Sequence, residues 1–328
     1  MDLIYTNEVH IDEGVMKDYT FDLAFGKDEN DFELSINSDN HCCTPGCFVY
    51  IDNSEYGGIV DAIRVITKDY NLMYTGRTWH GILASKVIKP DVGASHLIVS
   101  GEANSVIGSL IDRIGLSDLF VASSEDSGLM LNNCQIDRYI NAYNGIVKML
   151  ETVSGKLKFI FKEGRVELSA LPSVDYSESE QFDNDQVSMD IEKKVNFVNH
   201  LVCLGKGELA ERHIVHLYAD AEKNISTEQT FFGLDEIEQT YESTDYEISE
   251  ENPDDLTPLT DNGIKKFTEI LSDGKVDIDF ETEAAEYDIG DTVGSKEIIT
   301  NIFVKEKITK KIVTISRGIT NIEYKVGD

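Results

Sequence analysis

The sequence predicts an α+β, mostly β fold, with two small antiparallel β domains that carry helical insertions. Three observations lead to this prediction. Both halves of the chain contain short apolar runs with the two-residue alternation of strands, as at Phe32, Leu34 and Ile36. Only a few segments show the three- and four-residue spacing of a buried helical face. Acidic tracts at 173–190 and 228–261 divide the chain into blocks.

The composition is that of a globular protein with more than one domain. At 328 residues, with 41% hydrophobic and 27% charged residues, the chain can bury a sizeable core. No apolar run approaches the roughly 20 residues of a membrane span. The acidic N-terminal segment lacks the basic and apolar regions of a secretory signal, and five cysteines do not form a secreted disulfide framework. We therefore expect the protein to fold in a cytoplasm with reduced thiols.

The charge of the chain excludes one class of partner. A formal net charge of −32 repels phosphates, so we expect no specific nucleic acid binding. A strong negative charge would also suit a conduit through which DNA slides without binding, although strong acidity is more often a solubility feature.

Residues 1–98 are predicted to form a small β domain closed by a helix. Beyond the alternating strand near residue 34, strand formers recur in three segments, 47–51, 59–66 and 72–75. Thr78 is then placed as the N-cap of a short helix that ends before Pro90.

Residues 99–172 are predicted to be an α+β section packed on the first domain. Apolar positions in 104–116 and 141–154 each mark one buried helical face. Gly155 is placed to cap the second helix. The strand formers after it predict a hairpin that turns at Gly164.

The segment 173–190 contains six acidic residues and no Lys or Arg, which predicts an acidic linker. We assign the residues after it, 191–328, to a C-terminal β domain. His200–Leu204 and Arg212–Tyr218 are predicted to form its opening hairpin. The strands from Val276 onward are expected to complete the same sheet.

An insertion at about 225–275 interrupts this predicted domain. The tract 228–261 within it holds twelve acidic residues and none basic, and we interpret it as exposed. Its default role is a solvated face, and the alternative is a docking surface for a basic partner. A helix is predicted at 260–271.

Three stretches of the chain resemble the baseplate hub family of phage tails, which includes siphovirus tail-associated proteins and components of prophage-derived, phage-tail-like particles. The most specific is Asn199–Asp220, with N-H-L-V-C-L-G-K-G-E-L followed by an arginine and a strand. The second is the pair Tyr56-Gly57-Gly58-Ile59-Val60 and Tyr74-Thr75-Gly76-Arg77-Thr78. The third is Tyr287-Asp288-Ile289-Gly290-Asp291-Thr292-Val293.

The resemblance implies that the two small antiparallel β domains are β-barrel-like. It also implies a structural protein and not an enzyme. It implies a homotrimeric ring that joins a six-fold tail tube to a three-fold central spike in the baseplate of a virion or contractile injection system. Implied partners are the chain itself, the tube and tube-initiator proteins, the spike, other baseplate proteins and the tape-measure protein. Assembly would take place in the bacterial host cytoplasm. Two alternatives remain open: a tail-associated peptidoglycan hydrolase, and a receptor- or glycan-binding tail module.

The sequence contains one candidate metal cluster, formed by His41 with Cys42, Cys43 and Cys47, because imidazole and thiolates together favour zinc. A structural zinc site usually takes paired ligands from two places, and no second Cys-x-x-Cys or His-x-x-x-His cluster completes it. We therefore interpret this segment as a turn that carries buried thiols.

The remaining candidates also favour structural interpretations. His213 and His216 would lie on opposite faces of a strand, and Gly205-Lys206-Gly207 lacks the rest of a phosphate-loop pattern. Cys134 and Cys203 have no catalytic signature around them, and Trp79 is placed for packing. We assign no catalytic, cofactor-binding or metal-ligating residue and no cofactor.

Overall fold

A computed structural model describes residues 2–68, 70–177, 181–182, 188–191, 197–221, 223–244, 255–272, 276–282, 287–296 and 303–327. The chain divides into two compact units. The large unit comprises Met1–Asp190 and Asp277–Gly327, and the small unit comprises Ile191–Val276 with Asp328. None of the described helices has the length and apolar character needed to cross a membrane.

The first part of the large unit is mostly β, as predicted. Its elements are β1 (Leu3–Thr6), β2 (Asp12–Met16), β3 (Tyr19–Gly26), β4 (Asp31–Asn37), β5 (Phe48–Tyr50), β6 (Gly57–Ile66), β7 (Asn71–Thr78) and α1 (Trp79–Ala84). The Thr78 cap is confirmed, since its hydroxyl accepts a hydrogen bond from the Gly81 N–H.

The middle section alternates strands and helices. Its elements are β8 (Leu97–Glu102), α2 (Ala103–Ile114), β9 (Phe120–Ala122), β10 (Met130–Ile136), α3 (Ala142–Glu151), β11 (Gly155–Lys162) and β12 (Arg165–Pro172). Both predicted helices and the β11–β12 hairpin are confirmed. The predicted Gly155 cap is wrong. The cap residue is Thr152, and Ser154 takes the left-handed turn with φ 54°, so Gly155 already begins β11.

One apolar core joins this middle section to the first strands. Trp79, Ile107, Ile146 and Phe159 are buried in it, together with Phe48 of β5. The indole of Trp79 stacks on Phe161 with ring centroids 4.9 Å apart. The amphipathic faces read from the sequence are therefore the faces that pack.

The C-terminal strands belong to the large unit. The remaining strands of this unit are β13 (Gln181–Phe182), β14 (Ser188–Ile191), β19 (Val276–Thr282), β20 (Thr292–Lys296), β21 (Phe303–Ser316) and β22 (Ile319–Val326). The main sheet has the order β14-β19-β22-β21-β3-β4-β7-β6-β5-β1-β2, and β20 pairs with both β13 and β21. The long strand β21 thus runs antiparallel to β3 and brings both ends of the chain into one sheet.

The small unit has its own sheet, formed by β15 (His200–Leu204), β16 (Ile214–Ala219), β17 (Ile225–Ser226) and β18 (Glu238–Glu242), in the order β17-β16-β15-β18. Helix α4 (Thr257–Ser272) packs on it. Leu201, Cys203 and Phe267 are fully buried in the shared core. A Cβ on Gly263 would lie 2.5 Å from the Cys203 sulfur, so glycine permits the close approach of helix and sheet.

Two expectations about the second half of the chain are wrong. The β15–β16 hairpin is confirmed, but it does not share a sheet with the strands after Val276, because β21 and β22 pair with each other and with β3. The acidic tract 228–261 is not wholly an exposed insertion, since β18 pairs in parallel with β15. Alternation identified the hairpin and the strands after Val276, but it did not indicate β18, whose residues are mostly exposed. In both cases the pairing partner depends on which core the buried face of the strand fits.

The described part of the predicted acidic linker is also paired. The Thr292 N–H donates to the Val174 carbonyl over 2.9 Å, and the Tyr176 N–H donates to the Thr292 carbonyl over 2.8 Å. The start of 173–190 therefore lies along β20 and is not a free connection. Most of the residues that follow lie outside the described ranges.

Candidate functional site

A buried lysine links the C-terminal strands to the first half of the large unit. Lys311 on β21 is 2% exposed, and its Nζ lies 2.5 Å from Oε1 of Glu55. The ammonium also lies over the rings of Tyr56 and Tyr324, 5.9 and 5.8 Å from their centroids. Burial disfavours its charge, but the Glu55 carboxylate outweighs this and raises the pKa of Lys311.

His80 lies beside this pair among aromatic side chains, with its Nε2 4.0 Å from the Glu55 carboxylate. Its ring lies 3.7 Å from that of Phe159 and 4.7 Å from that of Phe25, measured between centroids. Burial, aided by the Lys311 charge, holds the pKa of His80 well below its ordinary value. The imidazole is therefore neutral at physiological pH.

A second buried charge cluster joins β11 to the loop before β20. Lys156 donates to both carboxylate oxygens of Asp291, over 2.8 and 2.7 Å, and lies 3.0 Å from Asp288. Asp291 is fully buried and also accepts from the backbone N–H groups of Val174 and Asp288. The contacts of Asp291 with Lys156 and Val174 hold sequence-distant segments together, and we assign the cluster a structural role.

The structure places the cysteine cluster in a turn before β5. Cys43 and Cys47 are buried, and the sulfurs of Cys42 and Cys43 are 3.9 Å apart. The Tyr74 hydroxyl accepts from the backbone N–H groups of Cys42 and Cys43 and bonds to Nδ1 of His41. Nδ1 of the imidazole is thus engaged by a phenol. This geometry matches a turn that carries buried thiols.

The other sequence candidates are separated from one another. Trp79 is buried in the core of the large unit, and Cys134 of β10 lies near Thr152. Cys203 is buried in the small unit, where burial raises the pKa of its thiol to about 11. Gly205-Lys206-Gly207 forms the β15–β16 turn, with the Gly205 N–H donating to the His213 carbonyl.

His213 and His216 do not contact each other, but His216 contacts His200, a pairing that the sequence did not indicate. Nδ1 of His216 lies 2.8 Å from Nε2 of His200 on the neighbouring strand. Nδ1 of His200 lies 2.8 Å from Glu236 and 3.0 Å from Glu238. The two-residue spacing of the glutamates was the only sequence signal, because the parallel β15–β18 pairing joins residues far apart in the chain.

An acidic groove of about 530 Å³ lies over β3, β4 and β7 of the large unit. Its charged lining residues are Asp22, Glu29, Asp31, Glu33, Asp61 and Arg77. Burial and the neighbouring Glu29 raise the pKa of Asp31, whereas the hydrogen bond from Arg77 lowers that of Asp61. The groove therefore concentrates negative potential on this face.

The fold described above is shared with tail proteins of phages and prophages. The 43 kDa tail protein of prophage MuSo2 from Shewanella oneidensis is similar with a TM-score of 0.59 and 9% identity, covering 99% of this chain and 98% of that one. A prophage tail protein from Listeria monocytogenes gives 0.57 and 11%, covering 99% and 94%. A tail protein from Neisseria meningitidis gives 0.53 and 13%, covering 100% and 96%.

No protein-family model matches the sequence, and no curated protein matches it. At these identities the likeness establishes the fold. It confirms the resemblance to phage tail proteins at that level and confirms the mostly β class.

Proposed function

We propose that the chain is the structural baseplate hub protein of a phage tail or phage-tail-like particle. In this role it forms a homotrimeric ring between the six-fold tail tube and the three-fold central spike. The observation that supports the proposal most strongly is the likeness to phage and prophage tail proteins over nearly the whole length of both chains. A likeness of that extent concerns the architecture of the protein and not one common motif.

The large unit has a surface suited to subunit contacts. Strand β2 is an edge of the main sheet, and exposed apolar side chains gather around the β1–β2 hairpin: Val9 is 73%, Ile11 62% and Val15 46% exposed. An unpaired edge beside exposed apolar side chains favours association with another chain. We assign a contact between ring subunits to this hairpin.

The proposed partners are the tail tube, the tube-initiator protein, the spike, other baseplate proteins and the tape-measure protein. The chain has no reaction of its own in this proposal, and it is located in the tail baseplate after assembly in the host cytoplasm. Its −32 charge and the acidic groove oppose binding to nucleic acid.

Light scattering coupled to size-exclusion chromatography tests the ring directly. We expect a trimer of the full chain, alone or on co-expression with its spike protein. The double change Ile11→Asp and Val15→Asp should reduce it to a monomer, whereas Val65→Asp, at a 57% exposed position on β6, should leave it intact. A wild-type protein that stays monomeric even with the spike contradicts the hub proposal. A trimer that survives I11D/V15D contradicts only the assignment of the contact.

A second experiment addresses location and the absence of catalysis. Antibody labelling of purified particles should mark the baseplate end of the tail. Addition of the purified protein to a suspension of host cell walls should leave its turbidity unchanged. Clearing of that suspension would show a hydrolase and refute the non-enzymatic role.

A further inference from the structure

The side chains of His200, Glu236 and Glu238 converge at one rim of the small-unit sheet. Their ligand atoms, one imidazole nitrogen and one oxygen from each carboxylate, all lie within 4.8 Å of one another. The His200 side chain is 6% exposed, that of Glu236 21% and that of Glu238 62%. The group is therefore anchored in the sheet on one side and open to solvent on the other.

The protons available within this group do not satisfy both carboxylates. Nδ1 of His200 carries at most one hydrogen, yet it faces Glu236 at 2.8 Å and Glu238 at 3.0 Å. Gln229 donates a further hydrogen bond to Glu236, but its amide brings no charge. Even with a charged imidazole, two carboxylates leave a net negative charge. A divalent cation between the three atoms would balance that charge.

The second ring nitrogen of His200 already makes the kind of hydrogen bond that orients a metal-binding histidine. Its Nε2 lies 2.8 Å from Nδ1 of His216. When Nε2 carries the proton and donates it to His216, the lone pair of Nδ1 faces the two carboxylates. Metal-bound histidines regularly hold their other nitrogen in such a hydrogen bond, which fixes the tautomer and the ring orientation.

The backbone that carries the two glutamates is fixed by the residue before His200. Asn199 is 5% exposed, its side-chain oxygen accepts from the Ile237 N–H, and its side-chain nitrogen donates to the Asp235 carbonyl. The backbone N–H groups of Asn199 and His200 both donate to the Ile237 carbonyl. Since Glu236 and Glu238 flank Ile237, this clamp holds both carboxylates on the side of His200.

We propose that His200, Glu236 and Glu238 form a Zn²⁺-class metal site in the small unit. One imidazole nitrogen and two carboxylate oxygens are ligands that zinc accepts, and a water completes the four-coordinate set. Calcium and magnesium prefer more oxygen ligands and no imidazole, so the donor set favours a transition metal. Binding releases any proton from Nδ1 and ties β15 to the segment that leads into β18. The inference is independent of the hub function.

Calorimetric titration of the full chain with zinc chloride, after treatment with EDTA, tests the site. Physiological salt and excess Mg²⁺ suppress diffuse binding to the acidic surface. We expect one zinc ion per chain. The double change E236Q/E238Q replaces two carboxylate ligands by neutral amides and should lower the affinity about 100-fold. His216→Phe should lower it about 10-fold by removing the orienting partner.

Glu242→Gln is the matched control, because Glu242 lies on the same strand but pairs with Arg212. It should bind zinc as tightly as the wild type. Co²⁺ spectra separate this site from the thiols near Cys42, since thiolate ligands give intense near-ultraviolet charge-transfer bands and the proposed site gives none. If circular dichroism shows that E236Q/E238Q does not fold, the exposed Glu238→Ala variant decides the question. A wild type that binds no zinc, or glutamate variants that bind it unchanged, would overturn the proposal.

Discussion

The two units differ in where their charged side chains lie. The large unit buries complete ion pairs: Lys311 with Glu55, 256 residues apart in sequence, and Lys156 with Asp291, 135 residues apart. In the described part of the small unit, the interior around Phe267 is apolar, and the charged groups near His200 are partly open to solvent. Desolvating a charge costs several kcal/mol, which is offset only by a well-placed partner charge and further hydrogen bonds. The comparison teaches that the large unit holds distant segments together by buried charge, whereas the small unit relies on its core and on polar clamps.

The largest effect should come from removing the buried ammonium. Lys311→Met leaves the Glu55 carboxylate without its partner, and we expect a loss of about 4 kcal/mol in the free energy of unfolding. Urea denaturation followed by the fluorescence of Trp79, the single tryptophan and a core residue of the large unit, measures it. The adjacent Lys310→Met is the control, since its pair with Glu29 is partly exposed and should contribute below about 1 kcal/mol. Equal losses in the two variants would remove the distinction between buried and exposed charge.

A core change in the small unit should be nearly as severe. Phe267→Ala creates a cavity between α4 and the sheet, and we expect a loss of about 3 kcal/mol. Amide hydrogen exchange of α4 residues reports it locally. Ile264→Ala, at a 40% exposed position on the same helix, should cost less than about 1 kcal/mol. A tolerant Phe267 site would show that the apolar core is not what stabilises this unit.

A smaller loss of stability should follow from removing the charge of Glu102, the N-cap residue of α2. Burial opposes ionisation of Glu102, but hydrogen bonds from Ser127 and from the backbone N–H groups of Asn104 and Ser105 lower its pKa to about 2. Because the folded-state pKa is depressed, the stabilisation is complete above the ordinary value and is lost as the pH falls through 2.

Glu102→Gln should therefore cost about 1 kcal/mol at pH 7, and the two proteins should converge in stability as the pH approaches 2. Glu125→Gln, a neighbouring exposed carboxylate, provides the control. Urea midpoints across the acid range give the comparison, and a constant difference at every pH would contradict the capping role of the charge.

The smallest effect at neutral pH should be that of His80→Phe. The pKa of His80 is depressed by burial, so the unfolded chain binds the proton more readily and stability falls as the pH drops below the ordinary histidine value. Phenylalanine keeps the aromatic packing and removes Nδ1, which has no hydrogen-bond partner in the described structure.

We expect H80F to resemble the wild type at pH 7 and to lose less stability on acidification. Thermal melts between pH 7 and pH 5 measure the slope. Tyr143→Phe, at a ring 5.5 Å from that of His80, is the control and should retain the wild-type slope, because burial raises the pKa of Tyr143 and its hydroxyl stays neutral in this pH range. An H80F slope equal to that of the wild type would show that His80 does not contribute to the acid sensitivity.

Local signals in the sequence were sufficient for most elements. Thr78 caps α1 because its hydroxyl can reach the N–H three residues on, and the stripes in α2 and α3 became buried faces. Local signals did not predict the candidate metal site. Its histidine and glutamates are ordinary in their own segments and meet only through the parallel β15–β18 pairing and the Asn199 clamp.

The sequence by itself determined the mostly β class, the helices, the hairpins at β11–β12 and β15–β16, and the acidity, because propensity, periodicity and turn chemistry act over a few residues. Only the tertiary structure decided which strands share a sheet. Because side chains alternate along a strand, Lys311 shares one face of β21 with Val313 and Ile315. The neighbouring sequence does not reveal that this face packs in the core beside Glu55. Strand partners are chosen by the fit of side chains distant in sequence, and that fit exists only in the folded chain.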